Sequence, residues 1–291
     1  ESDLEASAAG FLRERLAAGG PHPAVRDLAV PDNPDAAWFD ERRKALARRA
    51  RGQTSPLACV DAVQAACDLD FDAGIARERE IFLDCMNSPQ REGLIHYFFA
   101  EREAAKIPGL SPQAKARPVD KAAVLGCGTM GGGIAMCFAN AGIPVTVREV
   151  SQEAIDRGMA TVRKNYERSV SRGSITQEQM DQRLAMFSTT TEWSDIADAD
   201  IVVEAVFENL DLKCESFTEL DKVMKPGAVL ASNTSTLDVD KIGAATRRPQ
   251  DVIGMHFFSP ANVMKLCEVV RTKATADDVI KTAMETARRI G

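Results

Sequence analysis

"VLGCGTMGGGIAMCFANAG", Val124 to Gly142, sets glycines 126, 128 and 131 in the pattern G-x-G-x-x-G. Just upstream, "KAAVL" reads as a short buried strand; downstream, "IAMCFANAG" reads as an apolar helix. A strand that turns on glycines into a helix is the phosphate-binding turn of a dinucleotide fold. Gly126 makes the tight turn, Gly128 leaves room for a pyrophosphate, and Gly131 lets the helix pack on the strand. The phosphates then meet the positive end of the helix. Thr129 and Met130 lie on the same turn and are cofactor candidates with the three glycines, while Gly132 and Gly133 fit a tightly packed helix.

The next strand, "PVTVRE", ends in Glu149, 18 residues beyond Gly131. That is close to the separation of about 20 at which an acid accepts hydrogen bonds from the adenine ribose. A carboxylate there opposes a 2′-phosphate, which favours NAD over NADP. Arg148 precedes the acid, and strand alternation sends it to the opposite face. NADP stays open as the alternative.

Further along, "ADIVVEAV", "GAVLAS", "DVIGMHF" and "KLCEVV" are β-branched runs spaced by helical stretches such as "LKCESFTELDKVM". Strands alternating with helices mean βαβ units, so residues 121–291 are expected to form an α/β, Rossmann-type, mostly parallel sheet. Residues 1–107 read as helix throughout, in five segments beginning near Asp3, Asp35, Pro56, Phe71 and Pro89, with only a weak alternation in "AVRDLAV". Pro56 and Pro89 mark helix starts and Gly52 an end. Between the two halves, 108–120 contains the polar, Pro-containing "PGLSPQAKARP" and is expected to be a linker.

Composition agrees with two globular units. The chain has 291 residues, 45% hydrophobic and 27% charged, against about 100 to 200 residues per domain. A net charge of −7 argues against nucleic acid, so the basic "ERRKALARRARG" is expected to be a solvated helix face. No run reaches the roughly 20 apolar residues of a membrane span, and no N-terminal signal is visible. The seven cysteines are scattered without a C-x-x-C pair, so neither a disulfide frame nor a metal site is expected. Glu1 at the start and "TARRIG" at the finish suggest that both ends are cut.

A nicotinamide enzyme needs a base near neutral pKa beside the reacting carbon. Neither tyrosine, Tyr97 or Tyr166, has a lysine at the fourth following position. Of the three histidines, His22 lies in a Pro-rich loop and His96 in an apolar helix where packing is its expected role. His256 follows the strand "DVIGM", at the carboxyl end of the sheet, where ligands of such folds bind. Glu268 lies 12 residues on, in a strand whose apolar neighbours are expected to bury it partly. It either fixes the imidazole or is a strand acid facing solvent. Ser235 reads equally as a substrate contact, a loop hydroxyl or a cap for "LDVDKIGAA"; Asn233 could cap or bond a cofactor.

Four segments in order, "VLGCGTMGGGIA", "VVEAVFENLDLK", "ASNTSTL" and "GMHFFSPANVMKLCEVV", give the run from Lys121 to Gly291 its specific character. It resembles the NAD-binding domain of the L-3-hydroxyacyl-CoA dehydrogenases of fatty-acid β-oxidation. The resemblance implies NAD-dependent oxidation of an L-3-hydroxyacyl-CoA to the 3-ketoacyl-CoA, with His256 as base, Glu268 as its partner and Ser235 on the substrate's 3-oxygen. It also implies that Glu208 and Lys213 border the nicotinamide end, with Asn233 and Ser259 as further cofactor contacts. Ser259 stands where many members have Asn, and either side chain can hydrogen-bond. Phe257 and Phe258 are expected to wall the imidazole from water, with plain core as the alternative for one of them.

The stretch from Cys59 to Leu110 resembles the helical end of the crotonase-like hydratase domain, and the linker helix, of multifunctional β-oxidation enzymes. In that family the hydratase oxyanion hole and paired glutamates lie earlier, so no hydratase activity is expected from this chain. Glu78, Glu80 and Asp84 are read as a solvated helix face. The family also places a helical domain after the sheet, with an asparagine near the base. The sequence ends before it, so turnover is expected to be weak or absent. The implied partners are an acyl-CoA thioester, that further domain, and a thiolase or a second copy. A non-catalytic NAD-binding relative and a dehydrogenase of free 3-hydroxy acids are the competing readings. The implied compartment is the bacterial cytoplasm, or the peroxisome for a eukaryotic source.

Overall fold

Capping and proline placement delimit the helices of the first half. In a computed structural model that describes residues 3–20, 24–28, 30 and 34–291, the chain divides into two units, Glu1–Pro108 and Gly109–Gly291. The first contains α1 (Leu4–Ala18), α2 (Ala36–Ala50), α3 (Ser55–Asp68), α4 (Phe71–Met86) and α5 (Pro89–Ala104). Asp35, Asp70 and Ser88 accept first-turn amides of α2, α4 and α5. Pro56 and Pro89 fall in the first turn of their helices, where a missing N–H costs nothing.

Phe39 and Ala65 are buried, and Arg43 ties α2 to α3 through Asp61 at 2.8 Å. The weak alternation near Val25 is a single 3-10 turn, Val25–Asp27. His22 lies outside the described residues. His96 is exposed, as is every residue of α5, so the packing role expected for it is corrected. Glu78, Glu80 and Asp84 are all exposed, as a solvated helix face requires.

The second unit is built on β1 (Ala122–Leu125), β2 (Val145–Arg148), β3 (Phe187–Thr190), β4 (Ile201–Glu204), β5 (Val229–Ser232), β6 (Val252–Phe257) and β7 (Cys267–Val270). Strand order is β3-β2-β1-β4-β5-β6-β7, with β1 to β6 parallel and only β7 antiparallel, on β6. Around the sheet run α6 (Thr129–Asn140), α7 (Gln152–Ser171), α8 (Gln177–Leu184), α9 (Leu210–Val223), α10 (Val239–Ala244) and α11 (Asp277–Arg289). Strands β1, β4 and β5 are buried at every residue, which explains their apolar runs; only Glu204 and Ser232, at the ends of β4 and β5, are polar. Order reverses between β1 and β4, and ligands of open α/β sheets bind above such a switch point.

The expected linker is corrected as well. From Gly109 onward the segment is strapped to the sheet unit: Arg117 donates to Asp251 (2.7 Å) and Asp278 (2.8 Å), Asp277 accepts from Ser111 N (3.0 Å), and Lys281 donates to Ala114 O (2.8 Å). Ser111 and Arg117, polar residues of the expected linker, serve that strap.

Candidate active site

Above β1 the chain turns at Gly126, whose φ of +94° is the left-handed region glycine tolerates. A β-carbon there would sit 2.9 Å from Ala205 O, and one at Gly131 would collide with Gly126 O. At Gly128 it would meet nothing within 4 Å: this is the open approach. Gly128 is also the N-cap of α6 and offers no side-chain cap, leaving first-turn N–H groups for an anion. A β-carbon added at Gly132 would lie 3.3 Å from Val162, and one at Gly133 3.2 Å from Ala261, so both glycines sit where the packing is tight.

Beside this turn opens a cleft of about 730 Å³, lined by Gly126, Gly128, Thr129, Met130 and Glu149 among others. The Glu149 carboxylate bends back over the glycine turn, accepting from Cys127 N (2.7 Å) and Val150 N (2.9 Å). Burial, followed by the charge of Glu149, pushes the Cys127 thiol up to about 11, so it stays protonated. A dinucleotide fits this site: open backbone for phosphates, a helix N-terminus behind them, and a fixed acid at the ribose position.

Arg148 does not point away from the cleft, as strand alternation would have it. It lines the same wall as Glu149, with its guanidinium 4.0 Å from the Trp193 ring centroid and its Nε donating to Thr191 O at 3.2 Å. The reason is position: Arg148 is the last residue of β2, and a long side chain at the strand tip reaches over the edge.

Across the sheet, the β6–β7 register pairs His256 directly with Glu268. Nδ1 of the imidazole lies 2.8 Å from Glu268 Oε2. The Phe258 ring sits 4.6 Å from the imidazole centroid, whereas Phe257 is core at 5% exposure. Glu268 is more open than expected, its side chain 55% exposed against 20% for His256, because β7 is an edge strand that buries only one face.

Ser235 is exposed on the loop after β5. Its amide and hydroxyl both bond Glu208 Oε1, at 2.9 and 3.2 Å, joined by the Thr234 hydroxyl at 2.6 Å. Burial would raise the Glu208 carboxyl, but the Thr234 hydroxyl, the loop amides and Lys213 outweigh it and hold it below the usual carboxylate range. Asp238, not Ser235, caps α10. Asn233 spends its side-chain carbonyl on Phe257 N at 2.9 Å, tying this loop to β6 beside His256. Ser259 is exposed two residues beyond Phe257.

Lys213 is placed differently from expectation. Its side chain is wholly buried, with Nζ on Glu204 Oε1 (2.7 Å), Asn233 O (3.3 Å) and Glu208 (3.5 Å), so it stands behind the wall of the site rather than on it. Glu204, Trp193 and Gly158 escaped the sequence reading. Glu204 anchors the Lys213 network, and Gly158 on α7 is where any β-carbon would strike Cys127 of the glycine turn. Only Glu204 left a signal, an acid ending an apolar strand.

The chain is similar to known proteins. Residues 121–291 match the family of the 3-hydroxyacyl-CoA dehydrogenase NAD binding domain. The peroxisomal bifunctional enzyme of Cavia porcellus is 42% identical over 273 residues, 91% of this chain and 37% of that protein. The fatty acid oxidation complex subunit alpha of Shewanella amazonensis is 36% identical over 255 residues, 87% of this chain and 36% of its own length. In the crystal structure of (S)-3-hydroxybutyryl-CoA dehydrogenase from Ralstonia eutropha, 60% of this chain aligns with 62% of that one, at TM-score 0.59 and 33% identity. The chain thus spans little more than a third of the curated relatives' length. Among the described residues no helix is long and apolar enough to cross a membrane. The glycine turn, the acid after β2 and this match together place the chain in the 3-hydroxyacyl-CoA dehydrogenase family, of which residues 121–291 form the NAD-binding domain.

Proposed function

We propose that this chain supplies the cofactor-binding half and the proton acceptor for oxidation of an L-3-hydroxyacyl-CoA to the 3-ketoacyl-CoA. The observation that carries the reading is the His256–Glu268 pair, 2.8 Å apart at the carboxyl end of the sheet that carries the dinucleotide cleft. In this reading Glu268 accepts from Nδ1–H, fixing the tautomer that leaves Nε2 free to take the substrate hydroxyl proton. Phe258 limits water around the ring. Ser235 turns its hydroxyl proton from Glu208 to the substrate's 3-oxygen, while Glu208 keeps Thr234 and the loop amides. When bound, NAD supplies the hydride acceptor.

The glycine turn with Thr129 and Met130 holds the pyrophosphate, and Glu149 the adenine ribose. Glu208 faces the nicotinamide end, with Lys213, Asn233 and Ser259 supporting that end rather than each contacting it. The helical unit is read as the end of a hydratase domain with its linker helix, and the partners as an acyl-CoA thioester, a further helical domain, and a thiolase or second copy. The relatives' names, peroxisomal in one case and a bacterial oxidation subunit in the other, support a peroxisomal or a bacterial cytoplasmic setting according to source. A CoA ester is favoured over a free hydroxy acid because the aligned Ralstonia eutropha enzyme is a 3-hydroxybutyryl-CoA dehydrogenase.

The test is NADH binding by fluorescence, beside Glu149→Ala, followed by reduction of acetoacetyl-CoA and of free acetoacetate in a polypeptide of the relatives' length carrying this sequence. Binding that the substitution weakens, with turnover of the thioester alone, is the expected result. Binding without turnover of either compound would leave a non-catalytic NAD-binding protein.

A further inference from the structure

Arg148 is an unspent cation on the wall of the nucleotide cleft. It has one hydrogen bond, from Nε to Thr191 O at 3.2 Å, and its guanidinium lies against Trp193 at 4.0 Å. No ion pair engages it among the described residues, although the fields of Glu149 and Glu192 both reach it. Its terminal nitrogens therefore keep their donors, in the fork geometry that suits a phosphate. The indole holds that fork in place before any ligand arrives.

Glu149, the next residue, is equally fixed. Its two oxygens accept from Cys127 N and Val150 N, which holds the acid in place over the glycine turn. In folds of this kind an acid at this position takes the 2′-hydroxyl, whereas a nearby arginine accommodates a 2′-phosphate. Both devices stand here side by side on the wall of one cleft.

We propose that Arg148, stacked on Trp193, is a preformed 2′-phosphate site held silent by Glu149, so that removing the Glu149 charge alone turns the chain toward NADPH. The selectivity is then exclusion by a like charge, with the attractive partner already built. This rests on reading the cleft as the adenosine end of the NAD site.

NADH and NADPH are titrated by fluorescence against the wild-type chain, Glu149→Gln and Glu149→Ser, each with and without Arg148→Ala. Glu149→Gln keeps an oxygen for the Cys127 amide; Glu149→Ser clears room for the phosphate. The expected result is wild-type preference for NADH, a shift of the NADPH-to-NADH Kd ratio toward NADPH by at least about tenfold in one or both Glu149 variants, and loss of most of that shift on adding Arg148→Ala. A shift of equal size without the arginine, or no shift in either variant, overturns the proposal. A wild-type chain that binds neither cofactor overturns the NAD reading beneath it, a separate and recognisable failure.

Discussion

Lys213 Nζ lies 2.7 Å from Glu204 Oε1, and neither side chain exposes any surface. Glu204 also accepts from Ser232 Oγ (2.7 Å) and Val206 N (2.8 Å), so one buried carboxylate joins the ends of β4 and β5 to the first turn of α9. Through Lys213 the junction reaches Asn233 O and Glu208, and Glu208 holds the Ser235 loop.

Breaking such a pair from one side strands a charge out of water, at a cost of about 3–5 kcal/mol. Lys213→Met is therefore expected to lower urea-unfolding stability on that scale. Adding Glu204→Gln should recover part of the loss, because the stranded charge is gone. Single variants as stable as the parent would show that the pair is not what holds these loops.

His256→Ala, in a polypeptide of the relatives' length, is expected to cut kcat for acetoacetyl-CoA reduction by about 10² to 10⁴ while leaving the Kd for NADH within about twofold. Glu268→Gln should cost less. Its carboxylate is 55% exposed, and water screens the charge it offers the imidazolium. An effect of Glu268→Gln as large as that of His256→Ala would mean that the acid does more than orient the ring.

Gly158→Ala drives a β-carbon into the Sγ, Cβ and backbone oxygen of Cys127. The backbone oxygen cannot rotate away, so the glycine turn must move. A loss of about 1–3 kcal/mol, the usual scale of overpacking, is expected together with weaker NADH binding. Gly93→Ala is the contrast: its β-carbon meets nothing within 4 Å on α5, and the same change should stabilise the helical unit by roughly 0.5–1 kcal/mol. Thermal melts and NADH titration separate the two signs.

What the sequence disclosed, and what it hid, follows from where each signal is written. Gly126, Gly131 and Glu149 are legible because each meets a local steric or charge demand at fixed spacing. The fold was legible because β1, β4 and β5 are buried on both faces and are apolar up to the Glu204 and Ser232 that end β4 and β5. Strand β3, "FSTT", was not: it is an edge strand with an exposed middle and carries no hydrophobic period. Missing it also hid Trp193 on the loop that follows, and with it the true direction of Arg148. Lys213 was expected at the nicotinamide end, and its burial was hidden because nothing local in "ENLDLK" shows that Glu204 waits beneath it.

The strap before β1 gives the last expectation, a pH dependence. Arg117 donates to Asp251 at 2.7 Å and to Asp278 at 2.8 Å, across the start of β6 and the first turn of α11. The hydrogen bond from Arg117 is the main cause holding the Asp278 carboxyl below its usual range. A carboxyl depressed in the folded state stabilises the fold above its unfolded pKa, about 3.9, and that contribution is lost as pH falls through the folded value. Arg117→Met should therefore lower the urea midpoint more at pH 7 than at pH values below about 3, where the parent has lost the same interaction. The Asp278 side chain is 40% exposed, so the pH-dependent part should be modest, with Asp251, at 10%, the more sheltered partner. If the loss is instead the same at both pH values, the strap acts through the packing of the Arg117 stem and its bond to Gly227 O, which no carboxyl titration touches.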